Sequence, residues 1–83
     1  MEVPEKIEVY YSFSPLLGKS HFDLVAEKAR AVGIEFPNLI IKCREHWNDH
    51  RNTIQIMGFI EEEESEIFLS KMQELQNLVE GKS

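Results

Sequence analysis

Residues 60–80 read IEEEESEIFLSKMQELQNLVE, which is the longest uninterrupted helical pattern in the chain and predicts its closing helix. At about 100° of rotation per residue, four apolar side chains fall on one narrow stripe: Phe68, Met72, Leu75 and Val79. Gly81 follows this stripe and is the expected stop signal. We therefore expect one face of the helix to be buried and the other to be exposed and negatively charged.

The glutamates of this helix form the first candidate binding site. They are concentrated at its start, where carboxylates meet unpaired N–H groups and the positive end of the helix dipole, a gain of about 0.3–1 kcal/mol each. A charge run of this kind usually only keeps a surface solvated. The alternative is a docking surface for a basic protein, formed by Glu62, Glu63, Glu66, Glu74 and Glu80.

Length and charge limit the class of protein. Eighty-three residues fit one compact domain, residues 1–83, with a single hydrophobic core. The 42% of hydrophobic residues are typical of a globular chain rather than a disordered one. A net charge of -6 argues against nucleic-acid binding, which depends on cationic contacts to phosphate. A basic protein surface is therefore the expected partner.

The single cysteine, Cys43, excludes an internal disulfide framework. The sequence has neither an apolar signal-peptide core nor an apolar run of membrane-spanning length. A cytoplasmic protein that makes no membrane contact is the simplest expectation.

The upstream chain predicts three strands. Residues 6–13 alternate between apolar and polar side chains, as a half-buried strand does. Residues 39–44 open with a solid apolar run, which indicates the more central strand. Residues 53–59 are again rich in β-formers, so the last two strands should pair as an antiparallel hairpin with its tip near residues 47–52.

A first helix is predicted between strands one and two. Ser20 and Asp23 resemble a capping box at its start, and Gly33 is the expected end. Its periodic apolar residues, like those of the closing helix, need a surface to cover. The order β-α-β-β-α thus predicts an α+β fold, a three-stranded mixed sheet with both helices on one face.

This arrangement predicts which side chains form the core and which sheet residues remain uncovered. The closing helix should pack on Ile7, Val9, Ile41 and Ile54 of the sheet, beside Phe22, Val25, Ala29 and Val32 of the first helix. The opposite sheet face should carry Tyr10, Ile40, Lys42, Arg44, Gln55 and Met57. That face is either a half-wetted surface or a contact site.

The second interpretation is an assembly module. The chain would associate through an edge strand or the open sheet face, with Tyr10, Ile40, Lys42 and Met57 in the interface. The acidic helix would then serve only solubility. We expect a monomer or a weak homodimer.

Residues 43–51 contain the remaining chemical candidates. Cys43, His46 and His50 have the spacing C-x2-H-x3-H, which is weak as a zinc signal because a zinc site normally needs four ligands. Cys43 and His46 would lie about 10 Å apart along an extended strand, too far for a catalytic dyad. We therefore expect no metal, no cofactor and no enzymatic activity.

Trp47 has basic neighbours in the sequence: Lys42, Arg44, His46, His50 and Arg51. This segment is either an exposed hairpin tip or an aromatic and cationic contact for a phosphate or an acidic partner.

Several short motifs resemble the DinI-like proteins of the bacterial DNA-damage response. They are I-E-V at residues 7–9, S-P-L at 14–16, F-P-N at 36–38 and I-Q-I-M-G at 54–58, followed by an acidic helix. The resemblance implies a β-α-β-β-α fold and a regulatory protein that binds RecA filaments, its helix carboxylates standing in for DNA phosphates. It also implies that Glu63, Glu66, Glu74 and Glu80 contact the partner.

Overall fold

The computed structural model describes residues 5–49 and 51–81. Its elements are strand β1 (Lys6–Phe13), helix α1 (Lys19–Glu35), strand β2 (Leu39–Arg44), strand β3 (Thr53–Glu61), a 3-10 turn (Glu62–Glu64) and helix α2 (Ser65–Val79). The predicted α+β class and the β-α-β-β-α order are therefore confirmed.

The sheet has the order β1-β3-β2, and both strand pairs are antiparallel. The prediction of a mixed sheet is wrong in this detail, and so is the central position predicted for β2. β2 forms a hairpin with β3, and β1 pairs with the other edge of β3, so β1 and β2 run in the same direction without pairing. The apolar sequence of β2 reflects its cover by α1, which contacts it directly, rather than a central position.

Strand pairing places alternate residues of the three strands on a covered face. Ile56 of β3 lies between Tyr11 of β1 and Ile41 of β2, and Ile54 and Ile56 are fully buried. Ile7 lies on the covered face, opposite Ile60, but near the end of edge strand β1, where it is 36% exposed and therefore less buried than predicted. Val9, Ile41 and Ile54, the rest of the predicted sheet core, also lie on the covered face.

The predicted rotation of α2 about its axis is confirmed. Phe68, Met72 and Leu75 are buried, and Val79 packs against the core while partly exposed. The ring of Phe68 lies edge-on to Tyr11 and Phe36, with centroid separations of 5.6 Å in both pairs. Aromatic pairs prefer such edge-on arrangements, so Phe68 anchors α2 to the sheet and to the end of α1.

α2 begins later than the helical pattern predicts. Residues 60 and 61 belong to β3, where Ile60 pairs with Ile7 and is 3% exposed. The alternation of Ile54, Ile56 and Ile60 on the covered face explains why the strand continues into the acidic run. The 3-10 turn then reverses the chain, and the backbone N–H of Glu61 donates to Glu64 Oε1 at 3.1 Å across it.

Both predicted boundaries of α1 are corrected. The N-cap is Gly18, at φ 121°, and the Ser20 capping box does not form because Ser20 is already inside the helix. Asp23 instead accepts a hydrogen bond from Lys19 Nζ at 2.8 Å. The helix also continues past Gly33 to Glu35, since the missing side chain at residue 33 makes room for Ile41.

Candidate docking surfaces

The acidic face comprises Glu62, Glu63, Glu66, Glu74 and Glu80, and all five side chains are exposed. Glu62 and Glu63 lie in the 3-10 turn, so they precede α2 instead of occupying its first turns as expected. Only Glu66 is an acidic residue of the first turn of α2. Because residues four apart share a helix face, Glu66, Ser70 and Glu74 form a row on the exposed side of α2, opposite Phe68.

Four glutamates of the acidic face differ from several other acids of the domain in their ionic contacts. Several other acids have a cation nearby: Asp23 and Glu45 contact Lys19, Asp49 contacts Arg51, and Glu35 lies 3.9 Å from Lys71. Among residues 5–49 and 51–81, Glu62, Glu63, Glu66 and Glu74 form no ion pair. Glu80 differs, since Gln76 Nε2 donates to its Oε1 at 2.9 Å.

Two apolar side chains lie beside the unpaired carboxylates. Ile67 is 54% exposed and Leu69 is 55% exposed, and both are adjacent in sequence to the row that contains Glu66 and Ser70. The predicted site did not include these two residues. At about 100° per residue they flank the row on opposite sides, so each adds apolar area at one edge of the acidic face.

The open sheet face is the second candidate surface. Tyr10, Met57 and Ile40 form one row across the three strands, with Tyr10 61% exposed and Ile40 56% exposed. The Tyr10 hydroxyl accepts a hydrogen bond from Gln55 Nε2 at 2.9 Å, which fixes its ring on this face. The predicted orientation of these side chains is confirmed.

Phe59 belongs to the same face and was missed by sequence analysis. It is 45% exposed and pairs with Glu8, one step along β3 from Met57. The alternation of Gln55, Met57 and Phe59 on one side of β3 was the available signal, but residue 59 was treated as the end of the strand.

The outer side of β2 adds positive charge to the sheet face. Lys42 and Arg44 are exposed, and their strand partners on β3 are Gln55 and Thr53. Neither cation forms an ion pair with any residue in the described part of the chain. On the open sheet face, Lys42 and Arg44 therefore lie beside the row of Tyr10, Met57 and Ile40 without an ion pair to any described residue, although the protein as a whole is acidic.

The segment between β2 and β3 is not an exposed aromatic tip. Trp47 is only partly exposed and lies edge-on to Phe22 of α1, with ring centroids 6.0 Å apart. Its Nε1 donates to Glu45 Oε1 at 3.2 Å. The ring of Trp47 is therefore occupied by the core, and the aromatic part of the predicted cationic contact is wrong.

Lys19 connects this segment to the start of α1. Its Nζ lies 2.8 Å from Asp23 Oδ1 and 2.7 Å from Glu45 Oε1. Hydrogen bonds to Asp23 and then Glu45 raise the pKa of Lys19, and the bond from Lys19, followed by that from Trp47, lowers the pKa of Glu45. The arrangement holds the segment after β2 in place and offers no reacting group.

Cys43 and His46, the two zinc candidates within the described residues, belong to no metal-binding group. Cys43 is a free, partly buried thiol on the covered face, where it pairs with Ile54, whereas His46 is exposed and lies 3.5 Å from Asp49. His50 lies outside the described residues. Within residues 5–49 and 51–81, no three His, Cys, Asp or Glu side chains form a group that could hold a metal ion.

A groove of about 450 Å³ separates α1 from α2. Ala31, Val32, Leu75 and Leu78 are among its apolar lining residues. Two lysines and two glutamates also line it, so the groove carries no net charge. The groove therefore discriminates less between acidic and basic partners than the acidic face or the outer side of β2 does.

Comparison with known proteins adds no relative: no protein-family model, curated protein or solved structure matches the chain. The resemblance to DinI-like proteins remains a prediction from short motifs. Across the described ranges, no helix has the length and apolarity needed to cross a membrane.

Proposed function

We propose that this chain is a non-enzymatic protein-binding domain that docks on a basic protein surface through its acidic face. The observation that supports this most strongly is a cluster of four exposed glutamates on one surface, none of which forms an ion pair with a residue in the described part of the chain. Leaving like charges together on one surface costs folding free energy through mutual repulsion. A basic partner removes that repulsion on binding.

The affinity of such a surface is collective. A solvent-exposed ion pair contributes about 0–1 kcal/mol, so several carboxylates must act together. Ile67 and Leu69 add apolar area, which does not depend on salt in the same way. Binding should therefore weaken strongly with ionic strength without depending on charge alone.

The resemblance to DinI-like proteins supports a narrower proposal about the partner. The partner would be a cytoplasmic DNA-binding protein, such as a RecA-like filament, whose basic groove accepts carboxylates in place of phosphates. The domain would then regulate that protein during the DNA-damage response.

Charge reversal tests the proposed surface. The variant Glu63→Lys/Glu66→Lys, called the helix variant below, should lose the partner that the parent captures from a bacterial extract. The matched control Asp23→Lys/Glu27→Lys has the same net charge and also changes two exposed acids, but both lie on α1, away from the acidic face. Capture that is equal for the helix variant and the parent would exclude the acidic face as the binding surface.

The assembly reading is the second candidate, and the exposed row of Tyr10, Met57 and Ile40 favours it. If two sheet faces meet, sedimentation should show a concentration-dependent dimer whose mass is insensitive to salt. A strict monomer at all protein concentrations would remove this candidate and leave the acidic face.

A further inference from the structure

We propose that a second copy of this chain docks its acidic face on the open sheet face, giving a head-to-tail association. This inference builds on the proposed function, since it names one basic surface that the acidic face would recognise. The sheet face is defined by Tyr10, Ile40, Met57, Phe59, Lys42 and Arg44.

The positions of the two faces allow one molecule to use both. The buried side of α2 packs against one face of the sheet through Phe68 and Met72. Glu66 and Glu74 of the acidic face lie on the other side of α2, and Glu63 lies in the 3-10 turn that precedes it. Tyr10 and Ile40 lie on the other side of the sheet. The two surfaces therefore point away from each other across a two-layer domain.

The opposite charges of the sheet face and the acidic face are the reason for proposing a second copy of this chain as the partner. Lys42 and Arg44 are exposed cations without ion pairs in the described part of the chain, and Glu63 and Glu66 are exposed anions in the same condition. Opposite potentials on facing patches favour one docking orientation and disfavour like-with-like contacts. The same sheet face carries Glu8 on β1, at the edge opposite Lys42 and Arg44, so the glutamates of a second copy are expected to meet the β2 edge. Two acidic faces would bring glutamates together.

The apolar content of the two faces is also complementary. Tyr10 and Ile40 are more than half exposed, and so are Ile67 and Leu69 beside the glutamates. Specific interfaces combine an apolar centre with a polar rim. The Gln55 bond to Tyr10 holds the largest of these side chains in one orientation before docking, which lowers the cost of ordering it.

Head-to-tail association uses different surfaces on the two copies. Such interfaces close into rings or extend as open chains, depending on the rotation between neighbours. A two-fold dimer is therefore not the expected end product, and species larger than two copies should appear as protein concentration rises.

Sedimentation equilibrium of the full chain, at concentrations up to roughly 1 mM, the weak end of specific association, tests the proposal. The sheet variant is Lys42→Glu/Arg44→Glu, and the helix variant is Glu63→Lys/Glu66→Lys. Each alone should self-associate more weakly than the parent, on the order of tenfold or more, while the control Asp23→Lys/Glu27→Lys should associate as the parent does. Thermal melts followed by circular dichroism establish that each variant is folded.

An equimolar mixture of the two variants supplies the decisive result. The intact acidic face of the sheet variant meets the intact sheet face of the helix variant, and the two reversed faces are also complementary. Association should therefore return in the mixture, and in the single chain that carries all four substitutions.

Three results would overturn the proposal: a monomeric parent, self-association as strong in the helix variant as in the parent, or a mixture that associates no more strongly than either variant alone. The second result would identify contact between two sheet faces. A monomeric parent whose capture of another protein still requires Glu63 and Glu66 would leave the proposed function standing and remove only the head-to-tail association.

Discussion

Ile41 Cγ1 lies 2.8 Å from the position that a Cβ atom on Gly33 would occupy. Helix α1 and strand β2 therefore meet at a point where any larger residue on the helix collides with the sheet. This contact explains why α1 passes through a glycine that its sequence predicts to be its end. Residue 33 is a glycine because of the close packing against Ile41, and not because the helix ends there.

Gly33→Ala should destabilise the domain by about 1–3 kcal/mol, the usual cost of overpacking a core. Helix propensity alone predicts the opposite sign, because alanine is better than glycine in a helix by roughly 0.8–1 kcal/mol. Urea unfolding of Gly33→Ala in the parent and in Ile41→Ala separates the two effects. The substitution should become neutral or stabilising once Ile41 is truncated, and stabilisation in the parent would show that the contact is relaxed.

Phe68→Ala should cost about 3–5 kcal/mol, because it removes a fully buried ring and leaves a cavity beside Tyr11 and Phe36. Glu66→Ala, two residues away on the exposed side, should change the free energy of unfolding by no more than about 0.5 kcal/mol. Denaturant melts of both variants measure the contrast. Equal losses would mean that the side of α2 assigned to the acidic face is wrong.

Asn52→Ala should cost about 0.5–1.5 kcal/mol, the net value of a typical hydrogen bond, because it removes the acceptor of the part-buried His46 backbone N–H. Asn52 is fully buried, and its Oδ1 accepts a hydrogen bond from the His46 backbone N–H at 2.8 Å, which closes the segment between β2 and β3. Asn48→Ala is the matched control, since Asn48 is exposed in the same segment. Chemical denaturation should show little change for the control, and similar losses for the two would contradict the role given to Asn52.

Glu45→Gln should lower the melting temperature at pH 7, and the difference from the parent should shrink as the pH falls through the folded-state pKa of Glu45. The folded-state pKa of Glu45 is lowered, chiefly by the hydrogen bond from Lys19, so its contribution is present above its ordinary pKa of 4.5. That contribution is lost as pH falls through the folded-state pKa, because the carboxyl is then protonated. Calorimetry of the parent and Glu45→Gln across this range measures it, and a difference that stays constant with pH would refute the assignment.

The sequence pattern predicts the fold class and the positions of the helices and strands better than it predicts the order of the strands in the sheet. Residues 6–13 and 39–44 alternate or cluster as strands do, and both ranges match the structure. The position of β3 between the other strands depends on which edges pair, which the apolar content of residues 39–44 does not report. The late start of α2 has a related cause, because the strand alternation continues to Ile60 and Glu61 at the edge of the acidic run, and Ile60 pairs with Ile7.

For the candidate surfaces, the sequence likewise predicts which side chains are exposed but not which side chains they contact. Exposure of the glutamates and of Tyr10 follows from helical and strand periodicity, so the sequence predicts it. The ion pairs formed by the described acids, and the contact between Trp47 and Phe22, depend on residues that are not neighbours in the sequence pattern. Only a folded structure brings those residues together.

Site-specific photo-crosslinking tests the central claim that the acidic face contacts the partner. A photoreactive residue at Ser70 lies in the row with Glu66 and Glu74, and the same residue at Ser12 lies on the sheet face beside Gln55. Both serines are exposed, so neither replacement disturbs the core. We expect the photoreactive residue at Ser70 to give a crosslinked partner, whether that partner is another protein or a second copy of this chain. Crosslinking from Ser12 with none from Ser70 would contradict it.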